Sequence, residues 1–155
     1  STEIPVTLGD MTNARMPGFF SLVYLVANTI MNVTTQEGQA ACFANAAAHL
    51  DTGGCFVVAV VVPNRQRLEV FDLSEAHVGV DELDFDTQHC VSHHFILRDG
   101  VWERRSIPFR AVSPGELDLM AQMAGLRLRD RWSDWTREPF TAASEKHVSV
   151  WEKTS

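Results

Sequence analysis

Adjacent His93 and His94, an acidic run of Asp81, Glu82, Asp84 and Asp86, three cysteines and a Gly9-Asp10-Met11 turn are the residues whose types and spacing suit chemistry. Neighbours on a strand point to opposite faces, so the two histidines cannot hold one metal ion together and read as ordinary strand residues. The acidic run nearly alternates with Leu83 and Phe85, the pattern of a solvated strand face, and no metal is assigned to it. Cys42, Cys55 and Cys90 are odd in number and lack a C-x-x-C spacing, which argues against a disulfide framework and against structural zinc. Asp10 after Gly9 reads, on its own, as a turn residue. Trp132 and Trp135 flank a loop and read as core or rim packing.

The elements that must position these residues belong to one compact domain, residues 1–155, of ordinary globular composition with 45% hydrophobic and 21% charged residues. A formal net charge of -7 repels phosphate backbones and disfavours a general nucleic-acid binder. Arg127, Arg129 and Arg131 alternate with Leu126 and Leu128, which predicts the wet face of a half-buried strand. Ser1-Thr2-Glu3-Ile4 does not open a secretory leader, and no apolar run reaches membrane-spanning length, so a soluble, cytoplasmic protein is expected.

Residues 4–8 read as a short strand, with Pro5 favouring an edge position. Residues 22–26 and 55–62 are continuous apolar runs suited to strands buried on both faces. Between them lies a helix, capped by Thr34 with Glu37 at capping-box spacing, carrying Phe43, Ala46, Ala47 and Leu50, and stopped by Gly53-Gly54. Strand, helix, strand implies a parallel crossover. Residues 68–73, 78–85, 91–97 and 101–109 alternate instead, which predicts an antiparallel insertion over 68–109, with a hairpin turn at Asp99-Gly100. Ser113, Pro114 and Glu116 mark the start of a second helix that Gly125 ends. Residues 126–132 and 147–151 then read as an antiparallel pair of strands.

Gly9-Asp10-Met11, Phe20-Ser21-Leu22-Val23 and His49-Leu50-Asp51-Thr52-Gly53-Gly54-Cys55-Phe56-Val57, in that order, resemble the class I S-adenosylmethionine-dependent methyltransferase family of the small-molecule type. The family pattern runs G-D-M, F-D-L-V and H-L-x-P-G-G-x-F-V; Ser21 and Thr52 replace its usual Asp and Pro. The resemblance implies an α/β fold: a partial Rossmann-like sheet of parallel strands with an antiparallel last strand, carrying the antiparallel insertion. Residues 4–8, 22–26 and 55–62 would be its third, fourth and fifth strands. The G-x-G-x-G turn that grips the methionine portion of the cofactor does not occur in this sequence.

On this resemblance the cofactor is S-adenosylmethionine. The Asp10 carboxylate and Met11 N–H would read the adenine edge, and Val26, Ala27 and Asn28 would face the sulfonium. Asn32 and His94 would lie on the side of a small-molecule acceptor. Methyl transfer is an in-line displacement on an activated sulfonium, so alignment supplies much of the catalysis and no catalytic base is assigned. The chain by itself is expected to bind cofactor poorly. The competing expectation is a non-catalytic module that dimerises through the apolar edge of residues 22–26.

Overall fold

The computed structural model describes residues 4–63 and 68–154. Two four-stranded sheets carry the fold. Strands β1 (Phe20–Leu25), β2 (Leu50–Val61), β7 (Leu126–Trp132) and β8 (Lys146–Lys153) form the first, in the order β1-β2-β8-β7. Strands β3 (Leu68–Leu73), β4 (His77–Leu83), β5 (His89–Arg98) and β6 (Val101–Arg110) form the second, an antiparallel meander. β1 and β2 run parallel, with Val23 opposite Phe56 and Leu25 opposite Val58, joined by helix α1 (Gln36–His49). β8 is antiparallel to both β2 and β7. Helix α2 (Pro114–Met123) links the meander back to the first sheet.

The first sheet packs one face on α1 and α2. Phe43 of α1 meets Phe56 and Trp151 edge-on, with ring centroids 5.0 and 5.3 Å away. All three rings are fully buried, each contributing on the order of 2–3 kcal/mol of apolar burial. Trp151 Nε1 donates to Asp118 Oδ1 at 2.9 Å, and Arg131 grips both oxygens of the same carboxylate. A bulge between Leu128 and Asp130 produces that grip. It turns Arg131 from the wet face, where simple alternation put it, onto the inner face beside Ser149.

Local signals set most boundaries. Ser113 Oγ accepts from the Glu116 amide, with Pro114 in the first turn, as the sequence implies. Asp99 (φ 49°) and Gly100 (φ 79°) make the expected tight turn between β5 and β6. The α1 cap is Thr35, one residue later than expected, its hydroxyl accepting from the Gly38 amide. Gly53-Gly54 does not end the helix, which stops at His49; both glycines lie inside β2. A Cβ on Gly54 would sit 2.9 Å from the Phe20 carbonyl, so the small residue admits β1 at that point.

The expected strand over residues 4–8 does not form. Ile4, Val6 and Leu8 are 84%, 92% and 101% exposed, and the segment has no regular structure. A strand needs a partner to satisfy its amides and carbonyls, and among the described residues none lies beside it. The chain is caught only from Asp10 onward. Asn45 Nδ2 of α1 donates to the carbonyls of Met11 and Ala14 at 3.0 Å each, and the Met16 amide donates to His49 Nε2 at 2.9 Å. The parallel portion of the sheet is therefore β1 and β2, not three strands.

Candidate functional site at the carboxyl ends of β1 and β2

β1 leaves the sheet through two consecutive left-handed residues, Ala27 (φ 53°) and Asn28 (φ 62°). Neither is glycine, and such conformations cost on the order of 1–3 kcal/mol each unless the surroundings hold them. The surroundings do. The Asn28 amide donates to the Ala59 carbonyl at 3.2 Å, and Asn28 Oδ1 accepts from the Val61 amide at 2.9 Å, tying the exit of β1 to the last turn of β2. Thr29 closes the corner, its amide and hydroxyl both donating to the Val26 carbonyl. A short 3-10 turn, Thr29–Asn32, then brings Met31 and Asn32 to the same rim.

Beyond this rim lies a cleft of about 880 Å³ between the two sheets. Ala27, Asn28 and Asn32 form one wall, and Glu69, Asp81, Ser92 and His94 of the meander form the other. Phe71, Ile107 and Phe109 add an apolar floor. Asp81 Oδ1 is buried without a hydrogen-bond partner among the described residues, an acceptor left open in the wall. His94, read in the sequence as an ordinary strand histidine and placed on the acceptor side by the resemblance, lines the cleft and has a histidine partner. Its Nδ1 lies 3.0 Å from His77 Nε2, the two rings stack at 15°, and His77 Nδ1 lies 2.5 Å from Asp72 Oδ2. His93 faces the opposite way, toward Ser106 and Glu82, as alternation requires.

A shallower groove adjoins the cleft, lined by Gly9, Asp10, Met11 and Thr12 on one side and Asn32 to Thr35 on the other. Asp10 Oδ1 accepts from the Thr12 amide and hydroxyl, and these two bonds lower its carboxyl pKa below the ordinary value. Gly9 lets this corner close, because a Cβ there would lie 2.8 Å from the Ala14 side chain. Of the residues singled out in the sequence, Asp10, Met11 and Asn32 line the groove. Ala27, Asn28, Asn32 and His94 line the cleft, and Asn32 joins the two. Val26 lines neither and serves the corner through its carbonyl. Glu69, Asp72, His77 and Ser92 were not singled out, because strand pairing, not sequence adjacency, assembles them; Asp81, read as part of a solvated strand face, instead lines the cleft with one carboxylate oxygen buried.

This arrangement of the two sheets and their helices is shared with solved structures. The CcbJ methyltransferase from Streptomyces caelestis is 30% identical and superposes with a TM-score of 0.85, over 96% of this chain and 63% of that one. The fold is that of a class I S-adenosylmethionine-dependent methyltransferase. A methyltransferase of this type from Clostridium acetobutylicum superposes at 0.76 with 13% identity, over 96% of this chain and 64% of that one. CalS10, an amino pentose methyltransferase from Micromonospora echinaspora determined with S-adenosylmethionine bound, superposes at 0.66 with 16% identity, over 94% and 63%. The chain thus spans less than two thirds of the length of these methyltransferases. No protein-family model and no curated protein sequence matches it. Among the described residues, no helix is long and apolar enough to cross a membrane.

The groups present fit part of the methyltransferase cofactor. Asp10 and Met11 both line the groove, and a carboxylate next to a backbone N–H in the chain is the kind of pair that would complement an adenine amino group and its neighbouring ring nitrogen. The strained corner at Ala27 and Asn28 lies at the carboxyl end of a parallel strand, where ligands of open α/β sheets bind.

Proposed function

We propose that this chain forms the acceptor side and part of the cofactor side of an enzyme that moves a methyl group from S-adenosylmethionine to a small molecule. The observation that carries the reading is the Ala27-Asn28 corner, two left-handed residues held by β2 at the mouth of an 880 Å³ cleft. Asp10 and Met11 take the adenine edge. Val26, Ala27 and Asn28 form the turn that faces the sulfonium, and Asn32 and His94 contact the acceptor. The cofactor supplies an electrophilic methyl group when bound; the chain aligns the acceptor lone pair with it and excludes water.

Glu69 and Asp81 in the cleft wall favour an acceptor that carries an amine, since a buried carboxylate oxygen without a partner suits an N–H donor. CalS10 and the sugar N-methyltransferase KedS8 act on such groups, which supports an amino sugar or a related small amine here. Because the sequence lacks a G-x-G-x-G turn, cofactor binding by this chain alone is weak. Incubation with methyl-labelled S-adenosylmethionine and a panel of amino sugars, amines and hydroxylated analogues tests the reading. Slow labelling above the protein-free control, strongest for amines, is expected; no labelling of any acceptor would overturn it.

The second reading, a dimerising module, rests on the free edge of the first sheet. Phe20, Leu22 and Tyr24 of β1 are exposed, and among the described residues nothing pairs with that edge. Small-angle scattering at rising concentration decides this reading. A dimer that Tyr24→Lys abolishes supports it, and a monomer throughout removes it.

A further inference from the structure

We propose that Asp72, His77 and His94 form a proton relay ending on the cleft, with His94 Nε2 as the general base that deprotonates the methyl acceptor. The inference rests on the reading of the cleft as an acceptor site. A carboxylate can only accept, so the contact between Asp72 Oδ2 and His77 is donated by His77 Nδ1–H. That fixes His77 Nε2, in the neutral ring, as an acceptor, and its partner at 3.0 Å is therefore His94 Nδ1–H. His94 is left with a lone pair on Nε2. That atom lies 3.3 Å from Ser92 Oγ, and both residues line the cleft.

The relay is placed by strand register. β4 pairs with β5 so that Gly79 stands opposite His94, which puts His77 at the diagonal position, within reach of a ring. Gly79 leaves room for the Phe71 ring, which packs edge-on against His94 at 5.4 Å and also lies 6.3 Å from His77. Asp72 follows a register shift between Val70 and Asp72 in β3 that turns its carboxylate toward His77. Packing and hydrogen bonds on several sides thus hold both imidazoles.

The proton balance is complete. The acceptor N–H or O–H bond breaks and its proton passes to His94 Nε2, which frees the acceptor lone pair for the incoming methyl group. The His94 Nδ1 proton then passes to His77 Nε2, so the positive charge comes to rest beside Asp72. Asp72 is 44% exposed, which opens a route for that proton to solvent. An amine acceptor also arrives protonated near neutral pH, so it requires such a base before it can attack.

The test uses the 15N-labelled protein and long-range proton–nitrogen spectra of its imidazoles, which read tautomers without any cofactor. His77 and His94 are both expected as Nδ1–H tautomers, and Asp72→Asn is expected to shift the resonances of both. An Nε2–H tautomer for His94, or no response of His94 to Asp72→Asn, would overturn the relay. In the methylation assay, His94→Gln should lower kcat about 100-fold with KM changed less than about threefold, and His77→Gln about tenfold. The fall in rate toward acid pH should be shallower in His94→Gln than in the parent, whatever limb the acceptor's own protonation leaves. The groups facing His94 that also shape that limb are Glu69, Asp72, His77, Asp81 and Arg105 on the meander, and Glu145 and Lys146 across the cleft. His93→Gln, on the opposite face, should leave rate and profile unchanged. A His94→Gln enzyme within about twofold of the parent would remove the base. If no acceptor is methylated by the parent chain, the proposed function fails while the spectra still decide the relay.

Discussion

The ring of Phe71 occupies the space that any side chain at Gly79 would need. The two residues are on neighbouring strands, and their fit sets how closely β3 lies over the histidines of β4 and β5. Gly79→Ala forces the ring or the strand to move, and overpacking of this kind costs about 1–3 kcal/mol. Urea unfolding should show that loss. A variant as stable as the parent would mean that the ring moves aside freely and does not pin His94.

The Ala27-Asn28 corner should respond differently to two substitutions at Asn28. Asn28→Ala loses the bond to the Val61 amide and adds left-handed strain, for a combined cost of about 2 kcal/mol. Asn28→Gly loses the bond but relieves the strain, so it should cost less than the alanine variant. The order of the two unfolding midpoints checks this, and alanine at or above glycine would contradict it.

Arg110 is 4% exposed and binds Gln39, Gln88 and Glu116 at 2.5–2.7 Å, joining β6 to both helices. Burial pushes the Glu116 carboxyl upward, but hydrogen bonds from Arg110, Gln88 and Gln36, with the Arg110 charge, pull it below its ordinary value. Its stabilising share is therefore complete above the unfolded carboxyl value and is lost as pH falls through the lowered folded one. Glu116→Gln leaves a buried guanidinium unpaired and should cost about 3–5 kcal/mol at neutral pH. It should also flatten the acid end of the stability profile. A loss below about 1 kcal/mol would show that water or Gln88 compensates the guanidinium.

His147 is buried against Phe140, with Nδ1 2.8 Å from Ser149 Oγ and Nε2 unpartnered among the described residues. Burial, then the Arg131 charge, pushes its pKa down to about 4, with Asp118 opposing. The unfolded chain takes the proton near the ordinary value and the folded chain refuses it. Stability should thus fall as pH drops from about 6.5 to about 4, by up to roughly 3 kcal/mol, and be unaffected by this group above that window. His147→Gln should lose that slope, measured as the urea midpoint against pH. An unchanged slope would place the titration elsewhere.

Short-range signals were legible in the sequence because the chemistry behind them is local. The Ser113-Pro114-Glu116 cap and the Asp99-Gly100 turn follow from residues within four positions of one another. The parallel pairing of β1 and β2 followed from their apolar runs and the helix between them. The segment 4–8 alternates like a strand, but alternation says nothing about whether a partner strand is at hand. His77 was missed for a related reason, since its link to His94 spans 17 positions and exists only in the register of β4 on β5. Counting both strands back from the Asp84–Thr87 turn would have placed them diagonally. Arg131 was misplaced by the bulge at Arg129, which no local signal announced.

The most direct test of a methyltransferase site in this chain is to add S-adenosylhomocysteine to the 15N-labelled protein and follow its amide spectrum. Weak, saturable shifts confined to Asp10, Met11 and the 26–32 corner are the expected result, with the relay histidines little changed. Shifts elsewhere, or none at millimolar ligand, would contradict the assignment of that rim to the cofactor.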